Sequence, residues 1–547
     1  MNKFAKEIEA YVLKSYLEFG DAHSGKILAK LFQHGLDKKN IKDIMPEIEK
    51  KIKEISKLSK KEQEQQFEIL KDLVKEQEEK EKTLPEIDVS SLKKVVTRLA
   101  PEPSKYNHLG HAMSFLLNYI YTKKYKGKCL LRFEDTNPEK VSQEYVDAML
   151  QDVINYLDIK VDSIKYVSDD MSLFYNYAEE LIKKDKAYIC FCNRDKVQEL
   201  RHKGKECECR NKDIKNNLEE WKKLLDGEYK EGTATLRIKG DMKNKNHVMR
   251  DSVIFRIINK KHYRHGTKYK VWPMYDFYNA IEDSIMGVTL ILRSNEFDLR
   301  SELQDHIKDL LGLEKQLIVQ YGRFNVLDFT TKGREIRDLV ESKTLIGWDD
   351  PRLITLRALK RRGITKETIY ELINQIGLVK HPVNLDFNMI ASINRKIIDP
   401  KVDRYSFIQD QIELEIKNQP KIKEINYPIH PDKKETRKVK VENLFISSED
   451  FKNLKGKEIR LLHLFNINLD KKSEFTSLEI KNIPKINWVS KGLKTKILMP
   501  DGKWVEGISE ESIKNLKIDD LIQFERFGFV RLDRINKSVY EFWFTHK

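Results

Sequence analysis

The segment Pro101-Glu-Pro-Ser-Lys-Tyr-Asn-His-Leu-Gly-His111 decides the fold that we predict for this chain. It follows a short β-like run at Val95-Val96, and apolar residues with helical spacing begin near His111. A second apolar run, Cys129-Leu-Leu131, predicts another strand. Because strand, loop, helix and strand in this order form a βαβ unit, we predict a nucleotide-binding α/β sheet over this region.

The loop in this unit has the composition of a phosphate-binding loop. Its residues His108 and His111 lie three apart in the first helical turn, so both rings can face one ligand. Gly110 between them lets a base or a phosphate approach the backbone, and free N–H groups at a helix start attract anions. An isolated His-x-x-His is more common in cores and metal sites. The preceding Pro-x-Pro-Ser and the strand–loop–helix setting favour the phosphate interpretation here.

Length and composition narrow the class of protein. A chain of 547 residues with 40% hydrophobic and 35% charged residues predicts several globular domains. No apolar run of about 18 residues and no secretory pattern at Met1–Tyr11 are present, so we expect a cytoplasmic protein without a membrane partner. The net charge of +15 suits a polyanionic partner, although a general excess of lysine accounts for it equally well.

Changes in composition and in predicted secondary structure divide the sequence into six regions. Helices are expected over 139–185 and 345–377, the latter with a basic face on Arg352–Arg362 that suits phosphate contact or simple solvation. Strands with turn signals such as Asp501-Gly502 are expected towards the end. The regions are a helical extension (1–92), a first α/β half (93–188), an insertion (189–269), a second α/β half (270–328), a loop and helical region (329–395) and C-terminal β-barrels (396–547).

Four of the five cysteines form two C-x-C pairs within the insertion. Four thiolates from two tight turns suit a tetrahedral Zn²⁺ ion with a structural role, and reduced cysteines without a metal are the alternative. Cys129 lies within a predicted strand and is expected to belong to the core. The four candidate ligands are Cys190, Cys192, Cys207 and Cys209.

The histidine loop resembles the His-Ile-Gly-His signature of class I aminoacyl-tRNA synthetases, and Arg98-Leu-Ala-Pro-Glu-Pro-Ser104 is similar to their glutamyl and glutaminyl branch. Further segments resemble the archaeal-type glutamyl-tRNA synthetases, so that the resemblance covers nearly the whole chain. It implies an α/β multidomain fold: a Rossmann-type catalytic domain, an insertion that binds the tRNA acceptor end, a helical stem-contact region and barrels that read the anticodon. The matching segments are Arg132–Pro138, Val271–Phe277, Gly347–Leu353, Asp399–Arg404 and Phe524–Asp533.

The resemblance also implies a reaction. ATP with Mg²⁺ would activate L-glutamate as glutamyl-adenylate, and the glutamyl group would pass to tRNA(Glu) with release of AMP and pyrophosphate. Relatives of this branch typically activate the amino acid only when the tRNA is bound. Whether tRNA(Gln) is also a substrate stays open, and no DNA partner is expected.

Glutamate carries two carboxylates and one ammonium, so its site should offer two cations and one anion. Arg98, Glu134 and Arg293 follow three predicted strands, whose carboxyl ends bind ligands in open α/β sheets. By resemblance, the two arginines hold the carboxylates and Glu134 meets the ammonium. The same resemblance adds further candidates: for glutamate Glu102, Tyr275 and Asn279; for ATP Pro101, Pro103, Ser104, His108, His111, Glu296, Lys332 and Arg334; and for catalysis His108, Gly110, His111 and Lys332.

Two positions depart from the family pattern. Lys105 replaces the glycine that usually follows Pro-x-Pro-Ser, which either adds a phosphate-facing cation or stiffens the loop. The mobile lysine signature is reduced to Phe329-Thr-Thr-Lys-Gly-Arg-Glu335. Counting back from Trp348 without gaps puts Glu335 at the position of the key lysine, and a shift makes Lys332 or Arg334 the cation. We choose Lys332, and a loop of ordinary polar residues is the alternative.

Three other functions compete with glutamyl transfer to tRNA. A glutaminyl-tRNA synthetase shares the fold and most motifs. A non-catalytic tRNA-binding relative would explain the altered lysine loop, but the histidines together with Arg98 and Glu134 argue against it. A small-molecule nucleotidyltransferase would have no use for the basic β-rich C-terminal region.

Overall fold

The computed structural model describes residues 3–75 and 84–547, in two compact units divided at Lys82 and Thr83. The N-terminal unit is helical, as predicted, and the last residues of its predicted polar helical stretch (76–82) lie outside the described residues. Its core contains Ile8, Val12, Leu31 and Ile48. The helices are α1 (Ala5–Phe19), α2 (Ser24–Leu31), α3 (Ile41–Ile55) and α4 (Lys60–Leu70).

The second unit begins with three strands joined by helices. Strand β1 pairs in parallel with β2, and β2 pairs in parallel with β3. The histidine loop therefore lies at the carboxyl end of the central strand β1, directly before α5. These elements are β1 (Val96–Leu99), α5 (Leu109–Lys124), β2 (Lys128–Phe133), α6 (Gln143–Leu150), β3 (Ser163–Tyr166) and α7 (Met171–Lys183).

The predicted insertion (189–269) and its flanks form an antiparallel four-stranded sheet in the order β4-β5-β6-β7, in which β4 begins before and β7 lies after the predicted bounds. Its core, around Trp221, Phe255 and Trp272, is continuous with the packing of α7. Its elements are β4 (Ala187–Cys190), α8 (Arg194–Lys203), α9 (Ile214–Asp226), β5 (Thr235–Ile238), β6 (Val253–Ile257) and β7 (Val271–Pro273).

The chain then returns to the parallel sheet. The Thr289 amide donates to the Val96 carbonyl over 2.9 Å, so β8 starts beside the start of β1. Strand β9 pairs in parallel with β8, and the Thr289–Val96 hydrogen bond places this two-stranded sheet beside β1 of the three-stranded sheet β1-β2-β3. The elements are α10 (Tyr275–Ile285), β8 (Leu290–Ser294), α11 (Asp298–Leu311), β9 (Leu317–Tyr321), β10 (Phe324–Val326), α12 (Gly333–Glu341), α13 (Leu356–Arg361), α14 (Lys366–Ile376), β11 (Val383–Leu385) and α15 (Phe387–Ile398).

The C-terminal part forms two seven-stranded sheets that curl around separate apolar cores. One has the strand order β12-β25-β26-β27-β23-β24-β13 and the other β21-β18-β19-β20-β14-β17-β22. The predicted fold class is confirmed. The elements are β12 (Arg404–Tyr405), β13 (Phe407–Gln409), β14 (Gln411–Lys417), β15 (Glu424–Pro428), β16 (Thr436–Lys440), β17 (Leu444–Ser447), α16 (Ser448–Leu454), β18 (Glu458–Leu461), β19 (Asn466–Asn468), β20 (Lys472–Ser477), β21 (Lys485–Ile486), β22 (Val489–Ser490), β23 (Leu493–Leu498), β24 (Trp504–Ser509), β25 (Leu521–Phe524), β26 (Gly528–Asn536) and β27 (Val539–His546).

Two predicted helical stretches were wrong in part. The stretch 139–185 contains the edge strand β3, which is half exposed and therefore lacks a clear apolar pattern. The stretch 345–377 is not helical before Leu356, because Thr355 caps α13 by accepting a hydrogen bond from the Ala358 amide. Within the described residues, no helix combines the length and the apolar character that crossing a membrane requires.

Candidate active site and cysteine cluster

A group of buried charged side chains lies at the carboxyl ends of β1, β2 and β8. Arg98 Nε donates to Asp283 Oδ1 over 2.9 Å, and Arg132 Nη1 donates to the same oxygen over 2.7 Å. Arg132 Nη2 donates to Glu134 Oε1 over 3.1 Å. The structure thus brings two of the predicted glutamate-binding residues, Arg98 and Glu134, into one network.

Asp283 is the centre of this network, and the sequence analysis missed it. Burial raises the pKa of its carboxyl, but Arg98 and Arg132 outweigh burial and lower that pKa to about 2. Tyr275, Asn279 and Asp283 are spaced by four residues, which places them along one face of α10. That spacing was the signal that could have found Asp283.

Glu134 and Asn279 together form a pair of acceptors. Asn279 Nδ2 donates to Glu134 Oε1 over 3.0 Å, which directs Asn279 Oδ1 away from the carboxylate. This Oδ1 atom is buried and has no hydrogen-bond partner within the described part of the chain. Burial raises the pKa of Glu134, and Arg132 and Arg98 oppose that shift. A buried acceptor beside a carboxylate is the arrangement that a substrate ammonium group would complete.

Arg293 differs from the other two arginines because its partners are neutral. Nη1 donates to Gln304 Oε1 over 2.8 Å and Nη2 donates to Ser301 Oγ over 2.6 Å. Its Nε is buried and unpartnered among the described residues. Tyr275 is half-buried next to this group, and burial raises the pKa of its phenol. Arg293 is therefore a buried cation that a carboxylate ligand would neutralise.

The charges of the pocket do not cancel. Burial raises the pKa of a third nearby carboxyl, Glu282, to about 8, so this group is mainly neutral at pH 7. Three guanidinium groups (Arg98, Arg132 and Arg293) then face two ionised carboxylates (Asp283 and Glu134), which leaves one positive charge. The neighbouring charged groups form pairs of their own, namely Lys308–Asp305, Arg300–Asp276 and Lys165–Asp170. The pocket is complementary to a ligand with one excess negative charge.

The two histidines lie at the start of α5 with their rings 3.8 Å apart. His108 Nδ1 accepts from the Gly110 amide, and His111 Nδ1 accepts from the His108 amide, both over 3.1 Å. Burial, with the charges of Lys105 and Arg323, lowers the pKa of His108 to about 3, and burial also lowers the pKa of His111 well below its usual value. Since both Nδ1 atoms accept, the proton of each neutral ring is on Nε2, which becomes a donor.

Gly347–Leu353, one of the segments that resemble the family, is followed directly by residues that support this loop. The Leu109 amide donates to the Ile354 carbonyl over 3.2 Å, and the Leu356 amide donates to the Asn107 carbonyl over 2.9 Å. The Trp348 ring packs on Tyr106 at 5.0 Å between ring centroids. The residues on both sides of His108 are thereby held by a segment some 250 positions later in the chain.

The other predicted ATP-site residues lie around the same loop. The Glu134 amide donates to the Pro101 carbonyl over 2.9 Å, which joins the two halves of the site, and the Ser142 amide donates to the Pro103 carbonyl. Glu102, predicted to bind glutamate, is exposed and accepts from Ser104 Oγ over 3.0 Å.

The remaining candidates for ATP binding are exposed side chains or belong to ion pairs at the surface. Glu296 pairs with Arg323 over 2.8 Å, beside the histidines. Lys332 has 77% of its side chain exposed and pairs with Glu335 over 2.8 Å. Arg334 is also exposed. The structure does not bring Lys332 or Arg334 into contact with His108 or His111.

The predicted basic face Arg352–Arg362 was wrong for two of its residues. Arg361 pairs with Asp349 and Asp533, each over 2.7 Å, and stacks on Trp543. Arg362 is 2% exposed and donates to the Thr545 carbonyl. Both side chains join α13 to the C-terminal sheet, so they are not available to a phosphate.

Two further histidines, to which the sequence analysis assigned no role, hold the residue after Glu134. His262 Nε2 lies 2.8 Å from the Asp135 carbonyl oxygen, and Tyr263 donates to Asp135 Oδ2 over 3.0 Å. His265 Nε2 lies 3.0 Å from Ser168 Oγ, which donates to the same carboxylate. The insertion thus fixes the end of β2 that presents Glu134.

The four candidate cysteines form one cluster, with their sulfur atoms within 4.8 Å of one another. Cys190 Sγ and Cys207 Sγ are 3.8 Å apart. Arg237 Nη1 donates to these two sulfur atoms over 3.6 and 3.5 Å. Hydrogen bonds from Cys190 and Tyr188 and the charge of Arg237 lower the pKa of Cys207. The donor set is one that could hold a metal ion. Its members are Cys190, Cys192, Cys207 and Cys209.

Comparisons with known proteins agree with this geometry. Residues 94–400 match the family described as tRNA synthetases class I (E and Q), catalytic domain. Residues 402–483 and 473–533 match two anti-codon binding domain families of the same synthetases. The chain therefore belongs to the class I (E and Q) tRNA synthetases.

Its curated relatives are named more narrowly. Glutamate–tRNA ligase of Pyrococcus furiosus is 37% identical over 99% of this chain and 100% of the relative. The enzyme of the same name from Pyrococcus horikoshii is 38% identical, with the same coverage of both chains. That of Thermococcus kodakarensis is 36% identical, again over 99% and 100%. The predicted resemblance to archaeal glutamyl-tRNA synthetases is confirmed.

Proposed function

We propose that this chain attaches L-glutamate to tRNA(Glu) in two ATP-dependent steps, as a glutamate–tRNA ligase. The observation that carries the proposal is the charge of the buried pocket. Arg293 has no acidic partner within 4 Å among the described residues, and Glu134 stands beside the unpartnered Asn279 oxygen. L-Glutamate has the matching groups, since it combines two carboxylates with one ammonium.

The same charge favours glutamate over glutamine. Glutamine at neutral pH carries one carboxylate and one ammonium and is neutral overall, so it would leave the excess positive charge of the pocket uncompensated. An uncompensated charge in a buried site is costly, on the order of 3–5 kcal/mol when one partner of a buried pair is missing. Arg98 and Arg293 would hold the two carboxylates, and Glu134 and Asn279 the ammonium, with Tyr275 lining the pocket.

In the first step, the α-carboxylate of glutamate attacks the α-phosphorus of ATP. A new O–P bond forms, and the bond to the β,γ-phosphates breaks with release of pyrophosphate. Charge that develops on the phosphate oxygens would be stabilised by the Nε2–H donors of His108 and His111, which are neutral and preorganised. Mg²⁺, bound to the triphosphate, would neutralise part of its charge. Gly110 lets the His108 ring fold back over the helix start, since a side-chain carbon there would lie 3.0 Å from His108 Cε1.

In the second step, the 2′-hydroxyl of the terminal adenosine of tRNA attacks the carbonyl carbon of the adenylate, and AMP leaves. The C-terminal region that matches anti-codon binding domains would hold the other end of the tRNA. The same C-terminal region would decide whether tRNA(Gln) is also bound. We retain the six regions of the sequence analysis as the proposed domain organisation.

We further propose that the cysteine cluster binds a structural Zn²⁺ ion. Four thiolates at about 2.3 Å from a tetrahedral ion are about 3.8 Å from one another, and the Cys190–Cys207 separation is 3.8 Å. Arg237, which is 1% exposed, would offset part of the thiolate charge. The ion would fix the turns around 190–192 and 207–209 in the insertion.

Exchange of pyrophosphate into ATP tests the proposed function. The assay is run with glutamate or glutamine, each with and without tRNA. We expect exchange with glutamate in the presence of tRNA(Glu). Exchange with glutamine alone would replace our proposal by a glutaminyl-tRNA synthetase, and absence of exchange in every condition would contradict an enzymatic role.

A further inference from the structure

The side chain of Lys105 connects the histidine loop to the loop 329–335. Lys105 Nζ donates to the Thr331 carbonyl oxygen over 3.4 Å. A methyl group added at Gly333 would lie 3.0 Å from Lys105 Cδ and 3.2 Å from its Cβ. The aliphatic stem therefore packs directly on the backbone where α12 begins.

The ammonium at the end of this stem has no acidic partner. Among the described residues, no carboxylate lies within 4 Å of Lys105 Nζ, and its contact with Thr331 is long for a hydrogen bond. Burial lowers the pKa of this ammonium, and Arg323 adds to that effect while Glu102 opposes it. A half-buried cation with one weak, neutral partner is ready to exchange that partner for an anion.

The charge of Lys105 acts on both histidines of the loop. It contributes to lowering the pKa of His108 and that of His111. Lys105 precedes His108 by three residues in the same loop, so its charge is carried by the backbone segment that also positions the two rings. Arg323 also contributes to lowering the pKa of His108, but its charge is already engaged by Glu296 over 2.8 Å.

The two cations of the loop 329–335, Lys332 and Arg334, are both exposed, and neither contacts His108 or His111. Lys332 Nζ is paired with Glu335, and 77% of its side chain is exposed. Arg337 of α12 does reach the histidine loop, but its Nη2 donates to the Ser104 carbonyl and the Tyr145 hydroxyl, each over 3.4 Å. Of these four side chains, Lys105 combines proximity to the histidines with a charge that has no acidic partner.

We propose that Lys105 is a catalytic residue of the ATP-dependent step, whose ammonium leaves the Thr331 carbonyl and donates to a phosphate oxygen of bound ATP. The inference rests on the proposed function. In this arrangement the histidine loop supplies both the neutral donors, His108 and His111, and the cation. The loop 329–335 then acts as the neutral resting partner of that cation.

The test compares variants in pyrophosphate exchange with tRNA(Glu), with ATP titrated at saturating glutamate and glutamate titrated at saturating ATP. Lys105→Met removes the charge and keeps the stem, and Lys105→Arg keeps the charge. Lys93→Met is the matched control, because Lys93 is exposed near the amino end of β1, at the opposite edge of the sheet. Loss of one preorganised donor to a transition-state oxyanion typically costs about 100- to 1000-fold in rate.

We expect Lys105→Met to lower kcat/KM for ATP about 100-fold, with the KM for glutamate within twofold of wild type. Lys105→Arg should recover at least a tenth of the wild-type value, and Lys93→Met all of it. Lys105→Gln repeats the test with a polar side chain, so that a folding defect in one variant leaves the other to decide. A Lys105→Met enzyme within threefold of wild type would overturn the proposal, as would a larger loss in Lys332→Met than in Lys105→Met.

A binding measurement separates this proposal from the proposed function. Calorimetric titration of MgATP into the protein with tRNA(Glu) requires no turnover. We expect an affinity at least tenfold lower in Lys105→Met than in Lys93→Met. If wild type fails to exchange with glutamate, the proposed function fails, and the titration still decides on Lys105: equal affinities would refute its contact with ATP.

Discussion

Arg293→Gln removes one of the three guanidinium charges of the pocket and keeps a planar polar side chain. In the wild type, Arg293 is held by Gln304 and Ser301, both neutral, with its Nε free. We expect its charge to be neutralised by a substrate carboxylate. The variant therefore has equal numbers of positive and negative groups in the pocket, and a bound glutamate has one carboxylate too many.

The magnitude follows from the kind of contact that is lost. A hydrogen bond to a charged group contributes roughly 1.5–3 kcal/mol, and about 1.4 kcal/mol corresponds to a tenfold change in affinity. The KM for glutamate should rise roughly 10- to 150-fold on this basis. Glutamine is neutral overall, so its binding is weakened less when the Arg293 charge is removed. The ratio of kcat/KM for glutamate to kcat/KM for glutamine should therefore fall by a similar factor.

The assay is pyrophosphate exchange with tRNA(Glu), with glutamate and glutamine each titrated at fixed ATP. Arg395→Gln is the control, since Arg395 is an exposed arginine on α15. The KM for ATP should change little in Arg293→Gln, because the charge is removed from the amino acid pocket. A glutamate KM within twofold of wild type, together with an unchanged ratio of the two substrates, would refute the charge argument.

Four further outcomes are expected. His111→Ala should lower exchange about 100-fold through loss of one preorganised donor and leave tRNA binding unchanged in a filter assay; equal loss of both would indicate misfolding instead. Asp283→Asn should lower the thermal midpoint, because it leaves two buried guanidinium groups without their carboxylate, and an unaltered melting curve would show that the network adds no stability. In the ligand-free protein, the His108 ring should stay neutral as the pH falls to 5, since its pKa of about 3 lies well below; an NMR titration midpoint near 6.5 would contradict its burial. Purified wild type should contain one zinc per chain and Cys209→Ser much less, which metal analysis decides; equal contents would remove Cys209 from the site.

Local sequence was sufficient for the part of the site that depends on neighbouring residues. The order of strand, loop and helix around Pro101–His111 predicts where phosphate-binding groups lie, because a helix start exposes its amides whatever it packs against. Arg98, Glu134 and Arg293 were found for a related reason. Each is in or directly after an apolar run, and parallel strands bring their carboxyl ends to one edge. The two C-x-C pairs likewise predicted the sulfur cluster, which the structure contains.

Contacts between distant residues were decided by the tertiary structure. Asp283 pairs with Arg98 across 185 positions, and no pattern near either residue specifies which charge will neutralise which. Arg361 and Arg362 look like a phosphate-binding face in sequence, yet the folded chain directs them into the C-terminal sheet. The contact of Lys105 is likewise set by the tertiary structure, because its ammonium donates to a carbonyl oxygen 226 positions away. A pattern reports which residues share a strand end or a helix face, whereas the charge left over in a pocket depends on every group that folding brings into it.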